Sequence, residues 1–133
     1  MLDNEAIVVY NVDRINKYVG YSDTFKFAGS YTEEKGGPFT TTILAVDATN
    51  FNNVVYQERA QYTSYYVERE LHKMLIGIKA TDFSSDAEMG ICTGRWGCGV
   101  FGGDVYLKFL IQWIACSIAN KNMTFMCQEE EQK

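Results

Sequence analysis

Hydrophobic and polar positions alternate along this chain in a pattern that switches repeatedly between strand and helix periods. Ala6 to Tyr10 is a short β-branched and aromatic run bounded by Asn4 and Asn11, which predicts a buried strand. Asp23 to Gly29 alternates with period two, and Thr41 to Val46 repeats that signal after the turn-forming stretch Glu33 to Pro38, which predicts two strands paired across a polar loop. Between Val54 and Ile78 the apolar residues fall mostly three or four apart, at Tyr62, Tyr65, Tyr66, Leu71, Met74, Leu75 and Ile78, so a helix is predicted over the second half. Thr81 to Glu88 reads as a polar loop and Met89 to Thr93 as a short strand. Asp104 is a natural N-cap for Val105 to Ala119, apolar on nearly every face, as expected of a helix buried against a sheet with Leu107, Leu110, Ile111 and Ile114 in the core. Asn120 and Asn122 end it, Met123 to Cys127 reads as a final strand, and 128–133 is a charged, solvated tail. Strands alternating with helices argue an α/β layered fold around a sheet.

Composition narrows the possibilities. At 133 residues and 15.1 kDa the chain fits one domain, and 47% apolar residues with a single proline favour a packed core. Twelve basic against seventeen acidic residues give a net charge of −5, so no broad positive field exists to gather a nucleic-acid backbone, and no direct nucleic-acid binding is expected. Cys92, Cys98, Cys116 and Cys127 contain no C-x-x-C pair, and His72 cannot complete a zinc set with them; reduced thiols and no metal are expected. Asp3, Glu5 and Asp13 interrupt the first twenty residues, and Val105 to Ala119 is too short to span a bilayer. The expectation is a nuclear or cytoplasmic protein without a membrane partner or cofactor.

Glycine is concentrated in one place: six of eleven lie between Gly90 and Gly103. A glycine-rich loop between a strand and a helix is where backbone N–H groups approach an anion closely. No Gly-Lys-Ser/Thr follows, so this is not a Walker loop. Gly97-x-Gly99 has Gly102 as a third member but no ribose-binding acid about twenty residues on. Spacing alone leaves a tight structural turn and an anion site equally open.

The wording of the loop is more specific. Thr93-Gly94-x-Trp96-Gly97-Cys98-Gly99-x-Phe101-Gly102-Gly103-Asp104, followed by Leu107-Lys108-x-Leu110-Ile111-Gln112, closely resembles the signature of the poly(ADP-ribose) glycohydrolases. Tyr18-x-Gly20-Tyr21-x-x-Thr24, Ala45-x-Asp47-Ala48-x-x-Phe51 and Arg69-Glu70-Leu71-x-Lys73 match in the same order. The resemblance implies a three-layer α/β/α macrodomain with a mixed sheet, here incomplete: residues 1–127 as the C-terminal part of the catalytic domain and 128–133 as its tail. It implies ADP-ribose or poly(ADP-ribose) as ligand, with Gly97, Cys98, Gly99, Val100 and Phe101 wrapping the diphosphate and Tyr21 closing over it as a clasp. Arg95 stands where the family usually has asparagine near the ribose and phosphates. A guanidinium there pairs well with phosphate but is bulkier. Trp96 is expected to pack, and so is the Cys98 thiol.

The family's catalysis rests on a glycine triplet followed within a few residues by Gln-Glu-Glu, and that element is absent from these residues. The tail Gln128-Glu129-Glu130-Glu131 spells similar letters without a preceding glycine loop, and Gln128 also occupies the place of a family phenylalanine. No catalytic residue is therefore expected in this chain, and a preceding segment of the same domain is the expected partner. The alternative is a non-catalytic ADP-ribose-binding or regulatory module. An independent enzyme using Asp47 or Asp104 ranks last, because nothing pairs these carboxylates at a suitable distance.

Overall fold

The computed structural model describes residues 1–20, 22–30, 41–83 and 89–127. The chain divides into two compact units, residues 9–43 and residues 1–8 with 44–133. Its strands are β1 (Ile7–Val12), β2 (Asn16–Val19), β3 (Lys26–Ser30), β4 (Thr41–Ala45), β5 (Ile91–Thr93) and β6 (Met123–Phe125). Its helices are α1 (Gln57–Ala60), α2 (Ser64–Ala80) and α3 (Val105–Ile118). Among the described residues the strands form three two-stranded sheets, β1 with β4, β2 with β3 and β5 with β6.

In the smaller unit β2 and β3 run antiparallel, Tyr18 opposite Phe27 and Val19 opposite Lys26, with an irregularity between Asn16 and Tyr18. A turn at Gly20 (φ +78°) joins them, and a Cβ there would collide with the Thr24 carbonyl. Tyr18 stacks on Phe25 with ring centroids 5.1 Å apart. This corrects the expected pairing of the strand at Asp23–Gly29 with Thr41–Val46. Its neighbour is β2, too short and polar to announce itself; Asp23 and Thr24 belong to a 3-10 turn (Ser22–Thr24) rather than to the strand. β1 is a strand as expected but not a buried one: Ile7 is 52% and Val9 47% exposed.

The larger unit is built on the contact between α2 and α3. Met74 and Ile78 of α2 meet Ala115 and Cys116 of α3, and Leu44, Val46, Ile91 and Met123 pack against this cluster. Gly77 is required where α2 crosses β4, since a Cβ would lie 2.5 Å from Leu44 Cδ1. β5 and β6 pair in parallel, Ile91 with Met123 and Thr93 with Phe125, across the α3 connection. A parallel pair needs such a crossover, and together with the antiparallel β2–β3 pair it bears out the α/β reading with mixed pairing.

Asp104 caps α3 as predicted, its Oδ1 accepting from Leu107 N at 2.7 Å. Burial on α3 differs from expectation. Ile111 is buried and Leu107 partly so, but Leu110 and Ile114 are 46% and 43% exposed, together with Trp113 and Ile118. The fully covered face instead carries Lys108 and Gln112 beside Ile111, Ala115 and Cys116. α2 and the glycine loop cover one stripe of the helix, and the described residues leave the opposite stripe bare. No helix among the described residues is long and apolar enough to cross a membrane.

Candidate functional site

The loop 94–103 leaves β5 and enters α3 through a series of tight turns. Cys98 N donates to Arg95 O (3.0 Å), Gly102 N to Gly99 O (3.1 Å) and Gly103 N to Gly97 O (3.0 Å). Gly97 is left-handed (φ +73°), and a Cβ there would sit 2.6 Å from Ala48 Cβ. The 3-10 turn Phe51–Asn53 fastens the loop's outer arm: Phe51 N donates to Phe101 O at 2.9 Å, and Asn52 Nδ2 donates to Val100 O. Two buried residues of α3 secure its inner arm. Gln112 donates through Nε2 to Gly94 O (3.2 Å) and accepts from Thr93 Oγ1 (2.6 Å), while the Lys108 side chain runs beneath Gly97 and Gly103. Trp96 packs as expected, its Nε1 donating to Val46 O at 3.0 Å.

Clamped at both arms, the loop holds out its middle. The N–H groups of Gly99, Val100 and Phe101 donate to no acceptor among the described residues. Gly99 differs from Gly97: its φ is not left-handed, and a Cβ built on it meets nothing within 4 Å. Three consecutive amides without an acceptor among the described residues, with open space at Gly99, are the kind of group an anion site requires. A cleft of about 590 Å³ opens beside it, lined by Thr93, Arg95, Cys98, Gly99, Val105 and Met126 among others. Of the residues singled out in the sequence, Arg95, Cys98 and Gly99 line this cleft, Gly97 shapes the turn, and Val100 and Phe101 are exposed beside it. Tyr21, the expected clasp, lies outside the described residues.

Burial and then the Asp104 carboxylate push the Cys98 thiol up to about 11, with Arg95 opposing more weakly. It is therefore protonated at neutral pH and unsuited to nucleophilic attack, in keeping with a packing role. His72 is exposed on α2, and no group of His, Cys, Asp and Glu among the described residues is placed to hold a metal.

A buried charge cluster lies under the loop. Glu70, 1% exposed, accepts through Oε1 from Thr49 N (3.0 Å), Thr49 Oγ1 (2.8 Å) and Arg69 Nη1 (2.6 Å), and its Oε2 pairs with Lys108 Nζ. Arg69 also binds Asp3 (2.9 Å) and Asp47 (2.8 Å). Lys73 pairs with Asp47 (2.5 Å) and donates to the carbonyls of Leu2 and Glu5. Burial pushes the Asp47 carboxyl up, but Lys73 and Arg69 outweigh it and hold the group below its ordinary value. Sequence reasoning took Glu70, Lys73, Lys108 and Gln112 for motif letters without a role; the signal was polar residues four apart, 108 and 112, on an otherwise apolar helix.

The two loop glycines should behave oppositely on substitution. Gly97→Ala is expected to lower stability by about 1 to 3 kcal/mol through left-handed strain and the clash with Ala48, whereas Gly99→Ala is expected to change it by less than about 0.5 kcal/mol. Denaturant unfolding of the two variants checks this, and equal losses would refute the division of labour within the loop.

Comparison with known proteins places the chain alongside one group. A family model described as poly(ADP-ribose) glycohydrolase, macro domain fold, matches residues 1–133. Poly(ADP-ribose) glycohydrolase 2 of Caenorhabditis elegans is 35% identical over 135 residues, covering 92% of this chain and 27% of that protein. Probable poly(ADP-ribose) glycohydrolase 2 of Arabidopsis thaliana is 29% identical over 154 residues, covering 86% of this chain and 28% of that protein. Poly(ADP-ribose) glycohydrolase 1 of Arabidopsis thaliana is 26% identical over 186 residues, covering 88% and 33%. The chain thus spans a third or less of the length of these relatives.

Proposed function

Because the chain belongs to the poly(ADP-ribose) glycohydrolase family, a family of macrodomain fold, we propose that it supplies the diphosphate-binding part of an ADP-ribose site that acts on poly(ADP-ribose). The observation that carries this reading is the row of unpaired amides at Gly99, Val100 and Phe101, with open space at Gly99 and the Arg95 guanidinium on the cleft wall. Amide dipoles fixed by the surrounding clamps meet a diphosphate without reorganising, and the N-terminus of α3 behind them adds to the favourable potential. Val105 and Met126 give the cleft an apolar flank suited to the uncharged parts of a nucleotide. Tyr21 closes over the ligand in this proposal, as the resemblance implies.

Hydrolysis of the ribose–ribose bond needs a general acid at the leaving oxygen, and none of the described residues is placed to supply one. Among the described residues no carboxylate lines the cleft. Asp47 is held by Arg69 and Lys73, and Asp104 by its cap on α3. The chain contributes recognition, and the acid of the family reaction belongs to the glycine-triplet element outside these residues. A role as an ADP-ribose-binding module is favoured by the same cleft, free of carboxylates among the described residues, and differs only in needing no catalytic partner segment.

Gly99→Val tests the cradle. The valine side chain enters the space where phosphate must approach, so ADP-ribose affinity measured by titration calorimetry is expected to fall by more than about tenfold while the fold persists. Equal affinity in wild type and variant would remove the loop from the binding site.

A further inference from the structure

The feature under the loop that its backbone geometry does not explain is a charge. Lys108 is 1% exposed inside a mostly apolar helix, and a side chain of the same length without an ammonium would fill that space at lower desolvation cost. Its Nζ faces Glu70 and lies 4.1 Å from the centre of the Trp96 ring and 5.8 Å from that of Phe51. A Cβ on Gly97 would approach Nζ to 3.3 Å, and one on Gly103 would approach Cε to 3.2 Å, so the glycine turn rests directly on the lysine. We infer that Lys108 is a positioning residue for the anion cradle: paired with Glu70, it supports the inner face of the turn and places a positive charge behind the row of amides.

This rests on the reading of the loop as a diphosphate cradle and adds to it an electrostatic support that does not touch the ligand. The charged groups facing or linked to the lysine are Glu70 and Arg69 from α2, with Asp47 and Lys73 joined to Arg69's network, and Asp104 at the start of its own helix. Burial, and after it Arg69, bring the ammonium down to about 7. Below that pH the charge is present. Above it Glu70 keeps Arg69 and Thr49 but loses the positive charge at its Oε2, so the potential beneath the loop turns less favourable to a diphosphate.

The test is an ADP-ribose titration by calorimetry of the full chain, its Lys108→Met and its Lys108→Arg forms, at about pH 6 and about pH 8.5, with circular dichroism to establish folding. Wild-type affinity is expected to fall about tenfold between the two pH values; Lys108→Met to bind about tenfold more weakly at the lower pH without pH dependence; and Lys108→Arg, always charged, to show no loss at the higher pH. A pH-independent wild type, or a folded Lys108→Met form with wild-type affinity and profile, overturns the inference. If Lys108→Met does not fold, the wild-type and arginine profiles decide alone. Absence of wild-type binding at both pH values defeats the cradle reading and this inference with it, whereas tight wild-type binding that Lys108→Met leaves unchanged defeats this inference only.

Discussion

Incubated with labelled poly(ADP-ribose), the 133-residue chain is expected to release ADP-ribose about 10² to 10⁴ times more slowly than a glycohydrolase that carries the glycine triplet and its Gln-Glu-Glu. That factor is what a positioned general acid contributes when the leaving group is an alkoxide-like ribose oxygen. The proposed cradle would not replace it, because its amides would stabilise charge on the diphosphate, away from the breaking bond. Asp47 and Asp104, the carboxylates weighed as substitutes, are committed to Arg69 with Lys73 and to the α3 cap. Release of labelled ADP-ribose followed by thin-layer chromatography is the measurement. Turnover at the rate of a complete enzyme, abolished by Glu130→Gln, would show that the tail supplies the acid after all.

The largest expected effect on stability comes from Glu70. Its two carboxylate oxygens hold Arg69, Lys108 and the Thr49 backbone and hydroxyl in one place. Glu70→Leu leaves the buried Lys108 ammonium without its partner, and breaking a buried pair from one side costs about 3 to 5 kcal/mol. A domain stable by about 5 to 15 kcal/mol would lose a large part of its margin. Adding Lys108→Met removes the stranded charge and is expected to recover most of the loss, the sign of a pair rather than two independent contacts. Urea unfolding of the single and double variants measures both numbers; a single-variant loss below about 1 kcal/mol would mean that the pair is solvated and weak.

How much of this could be read in advance differs from element to element. α2 was legible from its apolar spacing, α3 from a long apolar run behind an N-cap, and β5 and β6 from short apolar runs between breakers, and the Asp104 cap because its side-chain chemistry is local. The partner of β3 was not legible, since β2 is four residues long, polar and exposed, and carries no pattern that marks it as a strand. The depth of β1 and of the outer stripe of α3 was misjudged because an apolar residue states a preference for burial, while cover must come from another part of the structure. At the site, the glycine spacing located the loop and left its purpose open. The family wording favours an anion site. Which glycine bends the chain and which leaves room for a ligand emerged only from φ at Gly97 and the empty space at Gly99. Lys108 and Gln112 stayed hidden because a polar residue on an apolar helix looks the same in sequence whether it escapes to solvent or is drawn inward.

The charge cluster also orders events in time. Its members come from residues 2–5, from Asp47 and Thr49, from α2 and from Lys108, and the bonds from Arg69 to Asp3 and from Lys73 to Glu5 span 66 and 68 positions. α2 needs only its own neighbours to form, but its charges stay hydrated until the distant segments return to replace water, and contacts of such long separation close late. Residues 2–5 are therefore expected to act as a final latch on a nearly assembled unit. Asp3→Asn should accelerate unfolding in stopped-flow measurements and leave the refolding rate nearly unchanged, and a slowed refolding limb would instead put the strap in the folding nucleus. A latch that closes last is also the first to open, so residues 2–5 are where this unit is expected to begin to come apart.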